Sequence, residues 1–362
     1  MKEKVVVGMS GGVDSSVAAY LLKEQGYDVI GVTMQIWQQD TQKDGQEGGC
    51  CGLQAVDDAR RVAAQLDIPY YVMNFREEFQ KQVIDYFIKE YRLGRTPNPC
   101  IACNRYVKWE SLLLRSIGIG ADYIATGHYA QIARLSNGRY TLRQSASTGK
   151  DQTYALYNLT QEQLQHTLFP VGIYTKEQVR DIARQSGLQV ADKPDSQEIC
   201  FVPDHDYAGF ISRSTHQSEP PGNFVTADGT VLGQHKGITH YTIGQRKGLG
   251  LALGRPVFVT RICADTNEVV IGSREDLMTD RLTAENMNYM AADRLKPGQR
   301  ALAKIRYSHS GETCVVTHVS DNGGCIELQF DRPVRAITPG QAVVLYQEDD
   351  LLGGGTIAQT AK

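Results

Sequence analysis

The sequence lacks the features that mark membrane and secreted proteins. None of its apolar runs approaches the roughly 20 residues that a membrane-spanning helix needs, and residues 1–12 contain neither the long apolar segment nor the small-residue cleavage site of a secretion signal. Basic residues are not in excess, because 38 lysines and arginines face 41 aspartates and glutamates, for a formal net charge of −3. We therefore expect a cytoplasmic protein without a membrane partner, in which any contact with nucleic acid comes from local basic surfaces.

Two further absences limit the chemistry and the architecture. No Walker A motif occurs, which leaves transfer of the γ-phosphate of ATP unsupported. Internal repeats and low-complexity segments are also missing. At 362 residues the chain is too long for one ordinary core, so we expect two or three domains. We also expect a monomer.

Strand and helix patterns alternate in the first 204 residues. Strands are predicted at residues 4–8, 28–32, 70–74 and 122–126. Helices are predicted from apolar spacing at 17–22, 56–66 and 79–87, and a fourth follows the capping-box pair Thr175 and Gln178. The alternation predicts an α/β domain at 1–204 with a doubly wound parallel sheet.

The pattern changes after residue 204. Residues 205–275 combine turn residues with short strand candidates and predict a small central domain. From 276 to 362, short alternating runs at 301–307, 314–318 and 325–330 are separated by turns, and residues 321–324 (DNGG) form a strong hairpin turn. This region predicts a C-terminal antiparallel β-barrel.

A glycine-rich loop, SGGVDSS at residues 10–16, follows the first predicted strand. The carboxyl end of a parallel strand is where α/β sheets bind ligands. Two glycines admit an oxyanion close to the backbone, and the N–H groups and dipole of the next helix attract it. Asp14 would repel a bare phosphate, so we expect a metal ion, Mg²⁺, between them. A plain strand-to-helix turn capped by serine or aspartate is the alternative.

These residues resemble a known group. SGGVDSS after a first strand is similar to the signature of the ATP pyrophosphatases, which cleave ATP between the α and β phosphates and adenylate a substrate oxygen. Along nearly its whole length the chain further resembles the bacterial tRNA-specific 2-thiouridylases. The matching segments are GMSGGVDSS from Gly8, GRTPNPC-x-x-CN from Gly94, ATGHY from Ala125, GKDQTY from Gly149, FPVG from Phe169, DSQEICF from Asp195 and TIGQRKGLG from Thr242.

The resemblance implies ATP-dependent 2-thiolation of the wobble uridine of tRNA on an adenine nucleotide α-hydrolase-like domain, with release of AMP and pyrophosphate. The implied ATP contacts are Gly8, Met9, Ser10, Gly11, Gly12, Val13, Asp14, Ser15, Met34 and Gly127. The implied tRNA contacts are Asn98, Pro99, Cys100, His128, Lys150, Asp151, Gln152, Arg306, Tyr307 and Gln341. The central domain would also contact tRNA. A persulfide-carrying protein, such as a cysteine desulfurase or a relay protein, would supply sulfur.

Replacing a uridine oxygen by sulfur requires a leaving group and a sulfur donor. Adenylation supplies the first and a cysteine persulfide the second, after which a second thiol must break the S–S bond. Cys103 and Cys200 lie in polar, turn-rich segments and suit these two roles. By resemblance, Cys200 carries the persulfide and Cys103 is the nucleophile that releases it, so the predicted catalytic residues are Asp14, Cys103 and Cys200.

The cysteines leave alternatives open. Cys100 and Cys103 form C-x-x-C, which is also half of a structural zinc site. Many members of the family have aspartate at the position of Cys100, and three thiols at 100, 103 and 200 would suit a [4Fe-4S] cluster as sulfur carrier. The role of the adjacent Cys50 and Cys51 is not predicted. Three late cysteines are expected to be ordinary buried residues: Cys263, Cys314 and Cys325.

Two other functions compete with thiolation. An ATP-pyrophosphatase synthetase that uses ammonia or an amino acid would share the loop but has no need for Cys103 and Cys200. A non-catalytic RNA-binding protein with a structural metal has no use for Asp14 in a glycine loop.

Two basic clusters are either solvated faces or RNA contacts. Their members are Arg92, Arg95, Arg105 and Lys108 in one, and Arg246 and Lys247 in the other.

Overall fold

The computed structural model describes residues 2–37, 53–194 and 199–359. Cys50 and Cys51 lie outside the described residues, as does the segment 195–198 immediately before Cys200. In the described part of the chain, no helix is long and apolar enough to cross a membrane.

Five parallel strands form the first sheet. Their bounds are β1 (Lys4–Gly8), β2 (Asp28–Gln35), β3 (Tyr70–Asn74), β4 (Tyr123–Thr126) and β7 (Thr167–Leu168). Their order is β3-β2-β1-β4-β7, and the four predicted strands are confirmed. Val5, Val6 and Val7 of the central strand have no exposed surface, as expected for a parallel strand covered on both faces.

Nine α-helices accompany the strands in the described residues. They are α1 (Val13–Glu24), α2 (Leu53–Gln65), α3 (Arg76–Phe79), α4 (Asp85–Arg92), α5 (Pro99–Ala102), α6 (Leu113–Gly118), α7 (Gln161–Gln165), α8 (Lys176–Gln185) and α9 (Tyr207–Thr215). Two π-helical segments, Gln80–Ile84 and Cys103–Leu112, join α3 to α4 and α5 to α6. The predicted capping box of Thr175 and Gln178 is present at the start of α8.

The order of the first sheet fixes the place of its ligand site. From β1 the chain moves to β2 and β3 on one side, and it later returns to β4 and β7 on the other. The strand order therefore reverses between β1 and β4, and such a switch point is where open α/β sheets bind ligands. The predicted doubly wound sheet is confirmed, with the glycine-rich loop at its switch point.

A four-stranded sheet forms the central domain. Its strands are β8 (Gly222–Val225), β9 (Val231–His235), β10 (Phe258–Cys263) and β11 (Glu268–Gly272), in the order β10-β11-β8-β9. Phe224 and Val259 lie in its core without exposed surface. The predicted small central domain is thus present.

Six strands close into the C-terminal barrel. They are β12 (Met278–Tyr289), β13 (Arg300–Lys304), β14 (Glu312–Val319), β15 (Cys325–Arg335), β16 (Ala342–Gln347) and β17 (Asp350–Gln359). They follow the order β12-β15-β14-β13-β16-β17, and pairing of β12 with β17 closes the ring. The barrel and its 321–324 hairpin turn are confirmed. The predicted run 301–307 is wrong in its last part, because β13 ends at Lys304 and the chain then turns, as a hydrogen bond from His309 N to Arg306 O shows.

Two more strands, β5 (Gln131–Arg134) and β6 (Tyr140–Arg143), form an antiparallel hairpin. By contacts the chain divides into two compact units. The first comprises Met1–Ile84, Cys100–Pro203 and Asp349–Leu351, and the second comprises Asp85–Pro99, Asp204–Glu348 and Leu352–Lys362. Residues 85–99 therefore group with the central and barrel regions, whereas the loop and the cysteines at 100, 103 and 200 belong to the first unit.

Candidate nucleotide and thiol site

The glycine-rich loop is shaped by its own hydroxyl groups. The Ser15 hydroxyl accepts the Ser10 N–H (3.2 Å) and lies 3.2 Å from the Gly12 carbonyl oxygen, to which it donates. The Ser16 hydroxyl donates to the same carbonyl (2.8 Å). Gly12 is the N-cap of α1 and has no side chain to cap the helix. The N–H groups of the first turn are therefore not capped by an N-cap side chain, which suits an anion at this helix N-terminus.

Four other predicted ATP contacts differ in what they present. The side chains of Met9 and Val13 are buried in the core of the first unit, so only their backbones can face a nucleotide. Met34 is half-buried near the carboxyl end of β2. An added Cβ at Gly8 would meet only ordinary contacts, so no close approach requires glycine there.

Two glycines allow neighbouring segments to approach the loop. Gly11 has a φ of +70°, and a Cβ there would collide with the Ala55 carbonyl at the start of α2. A Cβ at Gly127 would lie 2.5 Å from both the backbone carbonyl carbon of Asp14 and the Ser15 nitrogen. The end of β4 thus packs directly against the first turn of α1, which explains why glycine follows the strand in ATGHY.

Asp14 has two partners that the sequence did not reveal. The Lys176 ammonium lies 2.7 Å and 2.9 Å from its two carboxylate oxygens, and the Tyr129 hydroxyl donates to one of them (2.7 Å). Lys176 is buried in the first turn of α8. A lysine at that position opposes the helix dipole, and this was the one signal in the sequence that it has a specific anionic partner.

A second lysine, Lys193, also holds the loop and was missed. Its ammonium donates to the Gly11 carbonyl oxygen (3.0 Å) and to a carboxylate oxygen of Asp58 on α2 (2.6 Å). Nothing in the sequence around Lys193 indicated this contact, because loop and lysine are far apart along the chain.

The described side chains do not form a site for an iron–sulfur cluster or a structural zinc ion, and Asp14 already has a cationic partner. Both oxygens of Asp14 already accept hydrogen bonds from an ammonium. Within residues 2–37, 53–194 and 199–359, no three His, Cys, Asp or Glu side chains are grouped so that they could hold a metal ion. The three-thiol set that a cluster needs is therefore not formed by Cys100, Cys103 and Cys200. The C-x-x-C pair also has no second pair of ligands among the described residues with which to complete a zinc site.

A chain of contacts connects the helical segment Cys103–Leu112 to the loop. The neighbouring Asn104 accepts a hydrogen bond from Lys108 (2.8 Å) and donates to the Ala155 carbonyl. The Lys108 ammonium lies 3.5 Å from Nε2 of His128, which directly precedes Tyr129, the partner of Asp14. The helix that begins at Cys103 is thus tied to the carboxyl end of β4 and through it to Asp14.

His128 is held as a neutral imidazole. Burial, followed by the charge of Lys108, sets the pKa of His128 well below its usual value. Because an ammonium only donates, Nε2 accepts from Lys108, and Nδ1 carries the proton and donates to the Thr126 hydroxyl (2.6 Å). The ring also contacts the rings of Trp109 and Phe169.

The three predicted site cysteines are accessible. Cys100 on α5 is exposed, whereas Cys103 and Cys200 are half-buried. Cys200 lies in a turn whose next residue, Phe201, is buried against Phe79 of α3 with ring centroids 5.7 Å apart. The late cysteines differ from expectation in part. Cys314 is fully buried, and burial raises its pKa to about 12, but Cys263 and Cys325 are only half-buried.

Two of the three predicted tRNA contacts at 150–152 make hydrogen bonds within the first unit. Asp151 accepts the Ser145 N–H (3.0 Å) and the Thr153 hydroxyl. The Gln152 side chain accepts the Tyr129 N–H (2.8 Å). Lys150 is the exposed member of the three.

In the second unit, the predicted tRNA contacts Gln341 and Arg306 also have structural roles. The Gln341 amide donates to the Thr96 carbonyl oxygen (2.8 Å), which helps to hold the segment of Asn98 and Pro99. Arg306 donates to the carbonyl oxygen of Arg335 (3.3 Å). The Tyr307 side chain is 48% exposed, enough for one face to stack on a base.

The two basic clusters differ in charge balance. Three arginines of the first have acidic partners, in the pairs Arg92–Glu219, Arg95–Glu90 and Arg105–Glu110. In the second, Arg246 and Lys247 are exposed, and Arg246 lines an open cavity of about 450 Å³ together with Arg255. Neither arginine nor Lys247 has an ion pair with a described residue.

A doubly wound parallel sheet with a glycine-rich anion loop at its switch point defines a nucleotide-binding α/β protein. Family models match three consecutive regions: a tRNA methyl transferase HUP domain at residues 3–204, a tRNA methyl transferase PRC-barrel domain at 208–273, and an aminomethyltransferase β-barrel domain at 279–357. The HUP model alone covers more than half of the chain.

Curated relatives match over almost the whole length. The chain is 67% identical to tRNA-specific 2-thiouridylase MnmA of Lachnoclostridium phytofermentans, over 98% of this chain and 99% of the relative. It is 58% identical to the protein of that name from Clostridium perfringens (98% of each chain) and 56% identical to that of Clostridium kluyveri (99% of each). The chain belongs to the tRNA-specific 2-thiouridylase family and is a tRNA sulfurtransferase with an ATP-utilising fold.

Proposed function

We propose that this protein uses ATP to replace the 2-oxygen of the wobble uridine of tRNA by sulfur carried on Cys200. The contact chain from Asp14 in the nucleotide loop, through Tyr129, His128 and Lys108, to the helix that begins at Cys103 supports this most directly. An anion loop and an accessible thiol on one domain are what adenylation followed by sulfur transfer requires.

The nucleotide step uses the loop and the N-terminus of α1. The phosphates of ATP bind at the backbone N–H groups that follow Gly12, where no N-cap side chain competes for them. The uridine oxygen attacks the α-phosphorus and displaces pyrophosphate, which forms the adenylated base. The same oxygen later leaves with AMP, so one ATP is consumed for each oxygen removed.

The sulfur step uses both half-buried thiols. The terminal sulfur of the Cys200 persulfide attacks C2 of the base and displaces AMP. The Cys103 thiolate then attacks the Cys200 sulfur, which breaks the S–S bond to the base, leaves 2-thiouridine and forms a Cys103–Cys200 disulfide. A thiol reductant must reduce this disulfide before the next turnover. The two α-carbons have to approach within about 7 Å for the disulfide to form.

The tRNA contacts are proposed in two groups. Asn98, Pro99, Cys100 and His128 would face the target base; neutral His128 adds no charge beside it. The surface contacts would be Lys150, Arg306, Tyr307 and the exposed cations of the central domain at Arg246 and Lys247. A persulfide-carrying protein would load Cys200, and the reaction would take place in the cytoplasm, where tRNA is modified.

A thiolation assay on an unmodified tRNA transcript tests the proposal. With ATP and a persulfide donor, the products should be 2-thiouridine in tRNA, AMP and pyrophosphate in equal amounts. Release of ADP and phosphate would contradict cleavage between the α and β phosphates. ATP cleavage to AMP that needs ammonia or an amino acid would instead favour the synthetase reading.

A further inference from the structure

We propose that Lys176 is a positioning residue for nucleotide binding, which acts by neutralising Asp14 beside the phosphate-binding loop. In this account the counter-ion of Asp14 is an ammonium group of the protein itself, rather than a metal ion. The inference rests on the proposed function in one respect, namely that the SGGVDSS loop binds the phosphates of ATP.

The geometry is that of a built ion pair. The Lys176 nitrogen contacts both oxygens of the Asp14 carboxylate, at 2.7 Å and 2.9 Å. Only 10% of the lysine side chain and 30% of the aspartate side chain are exposed. The Tyr129 hydroxyl donates to the same carboxylate, and the Gln152 side chain accepts the Tyr129 N–H, so Asp14 has a second fixed partner.

Without its partner, each member of the pair would have an unfavourable electrostatic interaction. Asp14 lies in the first turn of α1, where a carboxylate suits the helix dipole but repels the phosphate groups that the same helix end attracts. Lys176 lies in the first turn of α8, where a cation opposes the dipole. Together they are close to neutral, so the loop keeps a fixed hydrogen-bonding side chain without presenting a net negative charge to ATP.

The pair predicts a specific energetic coupling. Loss of Lys176 leaves the charge of the Asp14 carboxylate uncompensated beside the proposed phosphate site. Charge repulsion at a partly buried site is stronger than in water. If the carboxylate is removed as well, the repulsion disappears. A lysine that contacted the phosphates directly would be needed with or without Asp14.

Lys193 provides a matched control. It also contacts the loop through its ammonium, but its partners are the Gly11 carbonyl and Asp58, and neither is the Asp14 carboxylate. Substitution of Lys193 removes an ammonium group from the loop without uncovering the charge of Asp14.

The experiment is a double-mutant cycle on ATP affinity, measured by equilibrium binding to the full-length protein with Mg²⁺ and again with EDTA. K176M should raise the Kd for ATP about tenfold in the wild-type background and less than about threefold in the D14N background, under both conditions. K193M should cost the same factor in both backgrounds. K176Q serves as a second variant should K176M unfold, and thermal melts of all proteins separate folding defects from loss of binding.

The outcomes are distinct. If K176M is equally harmful with and without D14N, Lys176 contacts the phosphates or only stabilises the fold, and the inference is wrong. If D14N removes a gain in affinity that Mg²⁺ confers on the wild type, Asp14 binds the metal and the inference is wrong as well. Failure of the wild-type protein to bind ATP at all would contradict the proposed function itself, before any variant is compared.

Discussion

The phosphate loop and the thiol segments of the first unit are built in opposite ways. The loop is fixed from several directions, by hydrogen bonds among its serines, by Lys176 and Tyr129 on Asp14, and by Lys193 on Gly11. Cys100 is exposed, Cys103 and Cys200 are half-buried, and the Cys200 turn is anchored through its neighbour Phe201. A site for a bound anion gains from rigidity, whereas thiols that receive sulfur from another protein must be reachable.

The largest effect on activity is expected from substitutions of the thiols, which leave the phosphate loop intact. Cys200→Ser and Cys103→Ser should each lower thiolation by at least about a thousandfold, because each supplies one part of a shared step. ATP affinity should stay near that of the wild type. Steady-state thiolation and equilibrium ATP binding on the same preparations measure both.

The double cysteine variant sharpens this prediction. It should be no worse than either single variant, since the two thiols act as one unit. Cys314→Ser is the matched control, because this thiol is buried and its raised pKa keeps it protonated. Substantial activity in Cys103→Ser would show that another thiol releases the sulfur, with Cys100 the first to test.

The next largest effect is expected from a substitution that disturbs the phosphate loop and leaves the thiols intact. Gly127→Ala places a Cβ against the backbone of Asp14 and Ser15, and overpacking of this kind costs about 1–3 kcal/mol. We expect weaker ATP binding and a lower melting temperature. Gly118→Ala is the control, because a Cβ there meets nothing within 4 Å and the site is helical. Equal behaviour of the two variants would mean that the close approach does not matter.

A smaller effect is expected from the basic residues. Replacing both Arg246 and Lys247 by alanine should weaken tRNA binding and reduce the slope of log K against log salt by up to about 2. Arg105→Ala is the control, since its guanidinium lies 3.5 Å from Glu110 and should contribute less. A greater loss from Arg105 would reverse the assignment of the two clusters.

Arg306→Ala tests a proposed tRNA contact in the barrel. It should raise the KM for tRNA severalfold while that for ATP changes little, because Arg306 lies in the second unit and the ATP loop in the first. Measurement of both constants decides the matter. A parallel rise in both would indicate a folding defect rather than a lost tRNA contact.

The smallest effect concerns pH. The pKa of His128 is lowered in the folded protein, so the unfolded chain binds more protons and stability falls as pH drops below the usual histidine value of about 6.5. The slope is at most about 1.4 kcal/mol per pH unit. His128→Gln has nothing to titrate at this position and should show a shallower decline between pH 7 and 5 in urea unfolding. If the wild type and His128→Gln lost stability with the same dependence on pH, His128 would bind a proton as readily in the native state as in the unfolded chain.

Local patterns predicted the elements of the fold well, because the signals for them are local. Three consecutive buried valines in β1, the capping box before α8 and the DNGG turn each specify their own structure. The end of β13 was missed, because Arg306 and Tyr307 continue an alternating pattern although the chain already turns there.

The sequence predicted only those parts of the site whose residues are consecutive in one segment. The loop was found from seven consecutive residues, but its counter-ion at Lys176 comes from a helix more than a hundred residues away, and Lys193 from further still. Sequence reasoning assigned a metal to Asp14 because an unpartnered carboxylate beside phosphate needs a cation. In the fold the Lys176 ammonium contacts this carboxylate, and no local pattern in the sequence reveals that contact.

The measurement that tests the central claim most directly is the location of sulfur during one turnover. Protein loaded with a cysteine desulfurase should carry one extra sulfur atom on Cys200, detected by peptide mass spectrometry. Addition of ATP and unmodified tRNA, without reductant, should move that sulfur to the wobble uridine and leave a Cys103–Cys200 disulfide, with one AMP per 2-thiouridine. Extra sulfur found on Cys50 or Cys51, or thiolation without the disulfide, would contradict the account.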